Sequence, residues 1–175
     1  MINPANIGGL LSNASSSLSI DYTDAANWYP GIEETADTIV SYSISIPKIK
    51  IVDAEVTNKN RDLKRHLVQF NSDTFPGEPG NSVIFGHSTL PQLYNPKDYK
   101  TVFANAYKLK VGDIIEVKIS GIKYSYKIES TAVVDADDTS ALSQDFSDSF
   151  LTIITCTPPG TTWKRLIVRA RIIRT

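Results

Sequence analysis

The sequence predicts an all-β fold closing into a barrel, and three observations carry that expectation. Apolar positions alternate with polar ones at period two along much of the chain. Short apolar runs are separated by turns rich in Gly and Pro, and helical periodicity is weak. A chain of 175 residues suffices for one domain with a sizeable core but not for two ordinary ones. With 41% hydrophobic and 21% charged residues it has the balance of a folded protein rather than a disordered one.

Residues 1–38 read as an N-terminal extension and residues 39–175 as the barrel domain. Positions 3–19 are rich in Asn, Gly, Ala and Ser, which suits a loose or weakly helical tail. The run Asp21-Tyr22-Thr23-Asp24-Ala25-Ala26-Asn27-Trp28-Tyr29-Pro30 holds more aromatic side chains than a free linker carries. Trp28 and Tyr29 are therefore expected to dock on the domain surface, packing on the back of the barrel, with a lid over a site as the alternative. Residues 1–40 hold five acids and no Lys or Arg, whereas residues 151–175 hold five bases and no acids, so the two ends could attract each other.

Strand signals begin near Ile39. Ile44 and Ile46 alternate with serines, then Ile49 and Ile51 with lysines; the phase slips at Pro47-Lys48, predicting two strands or a bulge. Residues 82–85, 150–155 and 166–173 are further apolar runs. Val111-Gly112-Asp113 is a turn leading into Ile115-Val117-Ile119. Across Ser120-Gly121, Ile122-Tyr124-Tyr126-Ile128 completes a tight hairpin. Short helices are expected near 61–68 and 98–107. The sum points to one antiparallel sheet.

Few residues are left for chemistry. Eighteen Lys+Arg against nineteen Asp+Glu give a net charge of −1, which argues against a general nucleic-acid grip. No run approaches the ~18 apolar residues of a membrane helix, and no signal peptide is visible. A single cysteine excludes an internal disulfide, and two histidines argue against a Cys/His zinc site. What stays open is a thiol nucleophile with a partner.

Cys156 ends the apolar run from Leu151 and is followed by Thr157-Pro158-Pro159-Gly160. If the next strand starts near Arg165, an eight-residue loop (157–164) sets Cys156 across from Arg165. Leu166, Val168, Ala170 and Ile172 then face the core, and Arg165, Arg169 and Arg171 face outward with the cysteine. A guanidinium there favours thiolate and can donate to an oxyanion; a small buried hydrophobe is the plainer reading of a lone Cys. His87 ends Val83-Ile84-Phe85-Gly86, where either a structural or a functional His can sit. His66, in Lys64-Arg65-His66, is expected on the surface or at a substrate rim. Asn81 and Asp113 sit in turn contexts and read as structural.

These residues carry a resemblance. Thr152-Ile153-Ile154-Thr155-Cys156 resembles the T-L-x-T-C signature of the sortases, with Ile153 where Leu is usual. The stretch from Phe75-Pro76-Gly77-Glu78-Pro79-Gly80-Asn81 to Ile84-Phe85-Gly86-His87-Ser88 is similar to their P-G-E-x-G-N-x-x-I-x-G-H. Arg165-Leu166-Ile167-Val168-Arg169 resembles their R-L-x-V-R strand, and Val111-Gly112-Asp113 falls at their G-D turn. The likeness covers about residues 42–173 in the right order.

The resemblance implies an eight-stranded barrel and a cysteine transpeptidase, with Cys156 as nucleophile, His87 as general acid/base and Arg165 as oxyanion stabiliser. Thr155, Ser88 and Arg169 are the substrate-side candidates. Implied partners are an L-P-x-T-G-like sorting signal and an amine acceptor, either a peptidoglycan precursor or a pilin lysine. No cofactor is implied, although the five aspartates of 135–148 could hold Ca²⁺ as in some relatives. The implied place is the outer face of a bacterial membrane, with an anchor expected in the native protein beyond this chain. The pilin-type lid motif, Asp-Pro-aromatic, is not matched by Asp24 to Trp28-Tyr29-Pro30. An L,D-transpeptidase lacks this cysteine context, and a papain-like protease has the opposite Cys/His order. A catalytically silent peptide-binding β-module is the alternative from another class.

Overall fold

Eight strands run β1 (Ser41–Ile46), β2 (Ile51–Thr57), β3 (Leu67–Gln69), β4 (Gly80–Phe85), β5 (Ile114–Ile119), β6 (Ile122–Asp135), β7 (Ser149–Thr157) and β8 (Lys164–Ile172). They close in the order β1-β2-β3-β4-β7-β8-β6-β5 in a computed structural model that describes residues 20–32, 38–70 and 74–174. The tail at 3–19 lies outside the described residues.

Period two works where one face is buried. β1 alternates outward Ser with inward Tyr42, Ile44 and Ile46. The phase slip at Pro47-Lys48 becomes a 3₁₀ turn, Pro47–Ile49, closed by Lys50 at φ 61° before β2 starts. β5 and β6 pair from Ile119–Ile122 outward, with Ser120 (φ 51°) and Gly121 (φ 77°) both left-handed, as a tight primed turn requires.

The sheet is mixed rather than antiparallel. β2 pairs parallel with β3, and β4 pairs parallel with β7. Strand direction depends on long connections, here the whole β5–β6 hairpin between β4 and β7, and alternation carries no trace of it. Every residue of β4 and β7 is buried, the polar Asn81, Ser82, Ser149, Thr152, Thr155 and Thr157 included, so neither strand shows a wet face.

The expected helices are absent among the described residues; only 3₁₀ turns occur, including Tyr99–Thr101 and Ala106–Lys108. Such short segments do not repay helix nucleation. At 61–68 the chain turns, and Leu67 and Val68 go into β3 opposite Val56 and Thr57. His66 is buried, not exposed, with Nδ1 2.8 Å from the Leu67 carbonyl and Nε2 2.9 Å from Asn60 Oδ1.

Two apolar clusters result. One fills the barrel, around Ile44, Val56, Ile84, Tyr126, Ile153 and Val168. The other lies outside the wall made by β4 and β7, where Ala25, Trp28 and Tyr29 cover Val83, Phe85, Ile154 and Cys156. The aromatic run thus packs on the cysteine-bearing face, not on the back of the barrel. The reason is that the odd residues of β4 and the even residues of β7 present an apolar outer face that needs a cover.

Candidate active site

The register brings the candidate residues to one rim. β4 and β7 run side by side up to Phe85–Ile154, and His87 and Cys156 each lie two residues beyond that pair. Across the next ladder Cys156 stands directly opposite Arg165. Gly86 packs tightly: a Cβ there would come within 2.4 Å of the Phe103 ring and 2.6 Å of Leu67, so no larger residue lets His87 approach. Phe103 N donates to the His87 carbonyl at 2.9 Å, fixing the backbone from the other side.

Thr155 and Ser88 tie the two strand ends together. Thr155 Oγ1 donates to the Gly86 carbonyl at 2.7 Å, and Ser88 Oγ to the Cys156 carbonyl at 2.7 Å. Each hydroxyl proton is thus used within the protein, while the oxygen keeps its capacity to accept. Arg169, a surface charge on its plainer reading, lies further along β8. It pairs with Thr152, four residues from Cys156, about 13 Å at strand rise. Its guanidinium lies 3.9 Å over Phe150 and binds Glu129 at 3.0 Å and Asp145 at 3.5 Å.

Arg165 faces outward, as alternation requires, yet is 0% exposed. Its guanidinium sits between two aromatic faces, 5.0 Å from the Trp28 ring and 5.2 Å from Tyr22. One amino group donates to the carbonyls of Thr162 and Lys164 at 3.0 and 3.1 Å, while Nε is buried without a partner. The two oppositely charged chain ends thus meet through cation–π contact; Asp21 and Asp24 instead accept from Thr23 and Ala26 in their own turns.

The cover is built into the fold. Trp28 stacks on Phe85 (5.0 Å, 11°) and its indole N–H donates to the Tyr22 carbonyl at 2.8 Å. Ala25 N bonds the Arg61 carbonyl at 2.9 Å and Leu63 N the Thr23 carbonyl at 2.8 Å. Beside Arg165 remains a groove of about 430 Å³, walled by Tyr22, Trp28, Tyr29 and Pro30 on one side and Ala136 and Thr139 on the other.

Burial sets the protonation states. It pushes the Cys156 thiol above its ordinary value, with Arg165 pulling the other way. It holds His87 below its ordinary value against the raising influence of Asp21, Asp62 and Asp98, and His87 Nε2 is buried without a partner. Tyr29, buried in the same cluster, is pushed up to about 12. In the covered pair burial thus favours the thiol over the thiolate and the neutral imidazole over the imidazolium.

The aspartates of 135–148 are spread among partners: Asp135 with Lys164 at 2.7 Å, Asp145 with Arg169, Asp148 with Arg174, and Asp138 accepting from Ser140 N at 2.8 Å. Among the described residues no group of three or more His, Cys, Asp or Glu is placed to hold a metal ion. Also among the described residues, no helix is long and apolar enough to cross a membrane.

Sequence reasoning missed two features. Tyr22 and Trp28 enclose Arg165, and the available signal was an aromatic pair in a non-strand arm beside an outward arginine. Gln144 joins the loop 136–148 to β4, for which the sequence carries no signal.

The closed mixed barrel, with a thiol, an imidazole and a guanidinium at one rim, has the fold of a class of transpeptidases. The family model of the Sortase domain matches residues 44–173, and the chain belongs to the sortase family, a family of transpeptidases that act at the cell surface. It is similar to sortase D of Bacillus subtilis strain 168, 29% identical over 130 residues, covering 71% of this chain and 60% of that protein. The chain therefore spans well under two thirds of that relative's length. Among solved structures it resembles sortase A from Corynebacterium diphtheriae, with 30% identity, TM-score 0.66, and coverage of 78% of this chain and 61% of that one. It also resembles a Clostridium perfringens sortase D5 transpeptidase, with 29% identity, TM-score 0.64, and coverage of 81% and 83%.

Proposed function

We propose that this chain is a cysteine transpeptidase in which Cys156 attacks the threonine carbonyl of an L-P-x-T-G-like sorting signal. The observation that carries the reading is the register that sets Cys156 opposite Arg165 and level with His87 on the parallel strand. The Cys156 proton passes to His87; the sulfur forms a bond to the carbonyl carbon, and the C–N bond to the following residue breaks. His87 returns the proton to the departing amine, leaving a thioester on Cys156. An incoming amine, from a peptidoglycan precursor or a pilin lysine, gives its proton to His87 and displaces the sulfur. Arg165 Nε, unpartnered in the covered state, supports the oxyanion in both steps. One amide replaces another, so the balance needs no cofactor. The working place is the outer face of a bacterial membrane.

Residues 20–32 act as a cover that must lift before this chemistry starts, because Cys156 is 6% and Arg165 0% exposed beneath Trp28. The same burial favours one rival, a catalytically silent peptide-binding module. Intact mass after mixing with an L-P-x-T-G peptide separates them. The expected product is an adduct equal to the peptide's N-terminal fragment, absent in Cys156→Ala and more abundant when residues 1–38 are removed. No adduct from either form across a peptide library points to the silent module.

A further inference from the structure

Besides its aromatic stack, the cover is fastened to the turn between β2 and β3. Asp24 and Asp62 form an isolated antiparallel bridge, in which Ala25 N donates to the Arg61 carbonyl at 2.9 Å and Leu63 N to the Thr23 carbonyl at 2.8 Å. Leu63, 1% exposed, packs in the cluster that holds Trp28, Tyr29 and Cys156. The turn at 60–66 is thus the platform on which residues 20–32 rest.

His66 closes the base of that turn. Its ring is buried, with Nδ1 2.8 Å from the Leu67 carbonyl and Nε2 2.9 Å from Asn60 Oδ1. Asn60 Oδ1 also accepts from Asp62 N at 2.9 Å. That bond fixes the amide with its oxygen toward the ring, since a flipped amide would set donor against donor. Both ring nitrogens therefore face oxygen acceptors. A neutral imidazole has one N–H and leaves a lone pair against an oxygen at hydrogen-bond distance; a ring with a hydrogen on each nitrogen satisfies both. The charged groups walling the groove at this turn are Asp21 and Asp24 from the cover and Arg61, Asp62, Lys64 and Arg65 from the turn. Three acids balance three bases, so the demand for the second hydrogen comes from the Leu67 and Asn60 oxygens themselves.

We propose that His66, with a hydrogen on each ring nitrogen, is a positioning residue that locks the 60–66 turn and so latches residues 20–32 over Cys156; this rests on the cover described above and not on the transpeptidase chemistry. Iodoacetamide labelling of Cys156 in the full chain, read by intact mass, reports the lifting of the cover. Asn60→Ala removes the Nε2 acceptor and should speed labelling about threefold or more. Asn60→Asp keeps an acceptor for Asp62 N and offers the ring a charged one, which strengthens a bond from a donating nitrogen and repels a bare one. It should slow labelling by a similar factor. In a Trp28→Ala background, where the cover is already lifted, both effects should vanish. The imidazole ¹⁵N spectrum should show both His66 nitrogens carrying hydrogen at a pH where His87, the other histidine, has one bare nitrogen. A bare His66 nitrogen there, faster labelling in Asn60→Asp, or equal effects with and without Trp28 overturns the proposal. Wild-type protein labelled as fast as Trp28→Ala removes the cover, and this inference with it. A faster Trp28→Ala beside unmoved Asn60 variants sinks this inference alone.

Discussion

Trp28→Ala should open the covered site. The indole is 3% exposed, stacks on Phe85 at 5.0 Å and lies 5.0 Å from the Arg165 guanidinium. Replacing a buried Trp by Ala costs about 3–5 kcal/mol. A desolvated cation–π contact of about 2 kcal/mol and aromatic stacking of about 1 kcal/mol are part of that sum. The cluster exists only while residues 20–32 are docked, so the whole loss falls on the covered state. At about 1.4 kcal/mol per factor of ten, the opening equilibrium shifts by roughly a hundred- to a few-thousandfold. The gain levels off once the open form dominates. Cys156 is the chain's one cysteine, so intact mass reads its labelling by iodoacetamide directly. Labelling and kcat/KM for a sorting peptide should both rise in the variant. Val52→Ala, at a residue 77% exposed, serves as the surface control and should match wild type. Labelling that is unchanged or slower in Trp28→Ala, with the barrel's thermal transition intact, refutes the idea that this segment limits access.

Three further outcomes follow from the same groups. Burial raises the Cys156 pKa, so wild-type labelling should keep climbing above the ordinary thiol range, whereas Trp28→Ala should move the climb to lower pH by readmitting water. A climb at the same pH in both would show that the cover does not set the thiol's state. Because the folded His87 pKa is depressed, its contribution to stability is present above about pH 6.5 and lost as pH falls below that value. The thermal midpoint of wild type should thus drop more between pH 7 and 5 than that of His87→Gln, and equal drops would remove this group from the account. EDTA should leave peptide turnover unchanged, since Asp135, Asp145 and Asp148 are held by Lys164, Arg169 and Arg174; a loss restored by Ca²⁺ would mean that those pairs give way to an ion.

Much of the barrel was legible in the sequence because its signals are local. Period two marks any strand with one wet face, and the primed turn at Ser120-Gly121 announces its hairpin. An eight-residue loop suffices to predict that Cys156 faces Arg165, since register across a hairpin follows from loop length. The order of His, Cys and Arg motifs and the sortase resemblance were equally local.

The remainder arises from contacts between residues far apart in the chain, which no window of sequence contains. The parallel pairing of β4 with β7 depends on where the β5–β6 hairpin goes, so alternation is silent about it. His66 lies among charged neighbours yet is buried, because β3 pulls its neighbour Leu67 into the sheet beside Val56. Arg165 faces outward by its alternation and is nonetheless enclosed, because Tyr22 and Trp28, more than 130 positions earlier, close over it. The sequence by itself determined most of the strands, though not β3, with their turns and the candidate residues for chemistry. Only the tertiary structure decided that these residues rest covered, with burial favouring the neutral thiol of Cys156 and the neutral imidazole of His87, since desolvation is a property of what surrounds a side chain in space.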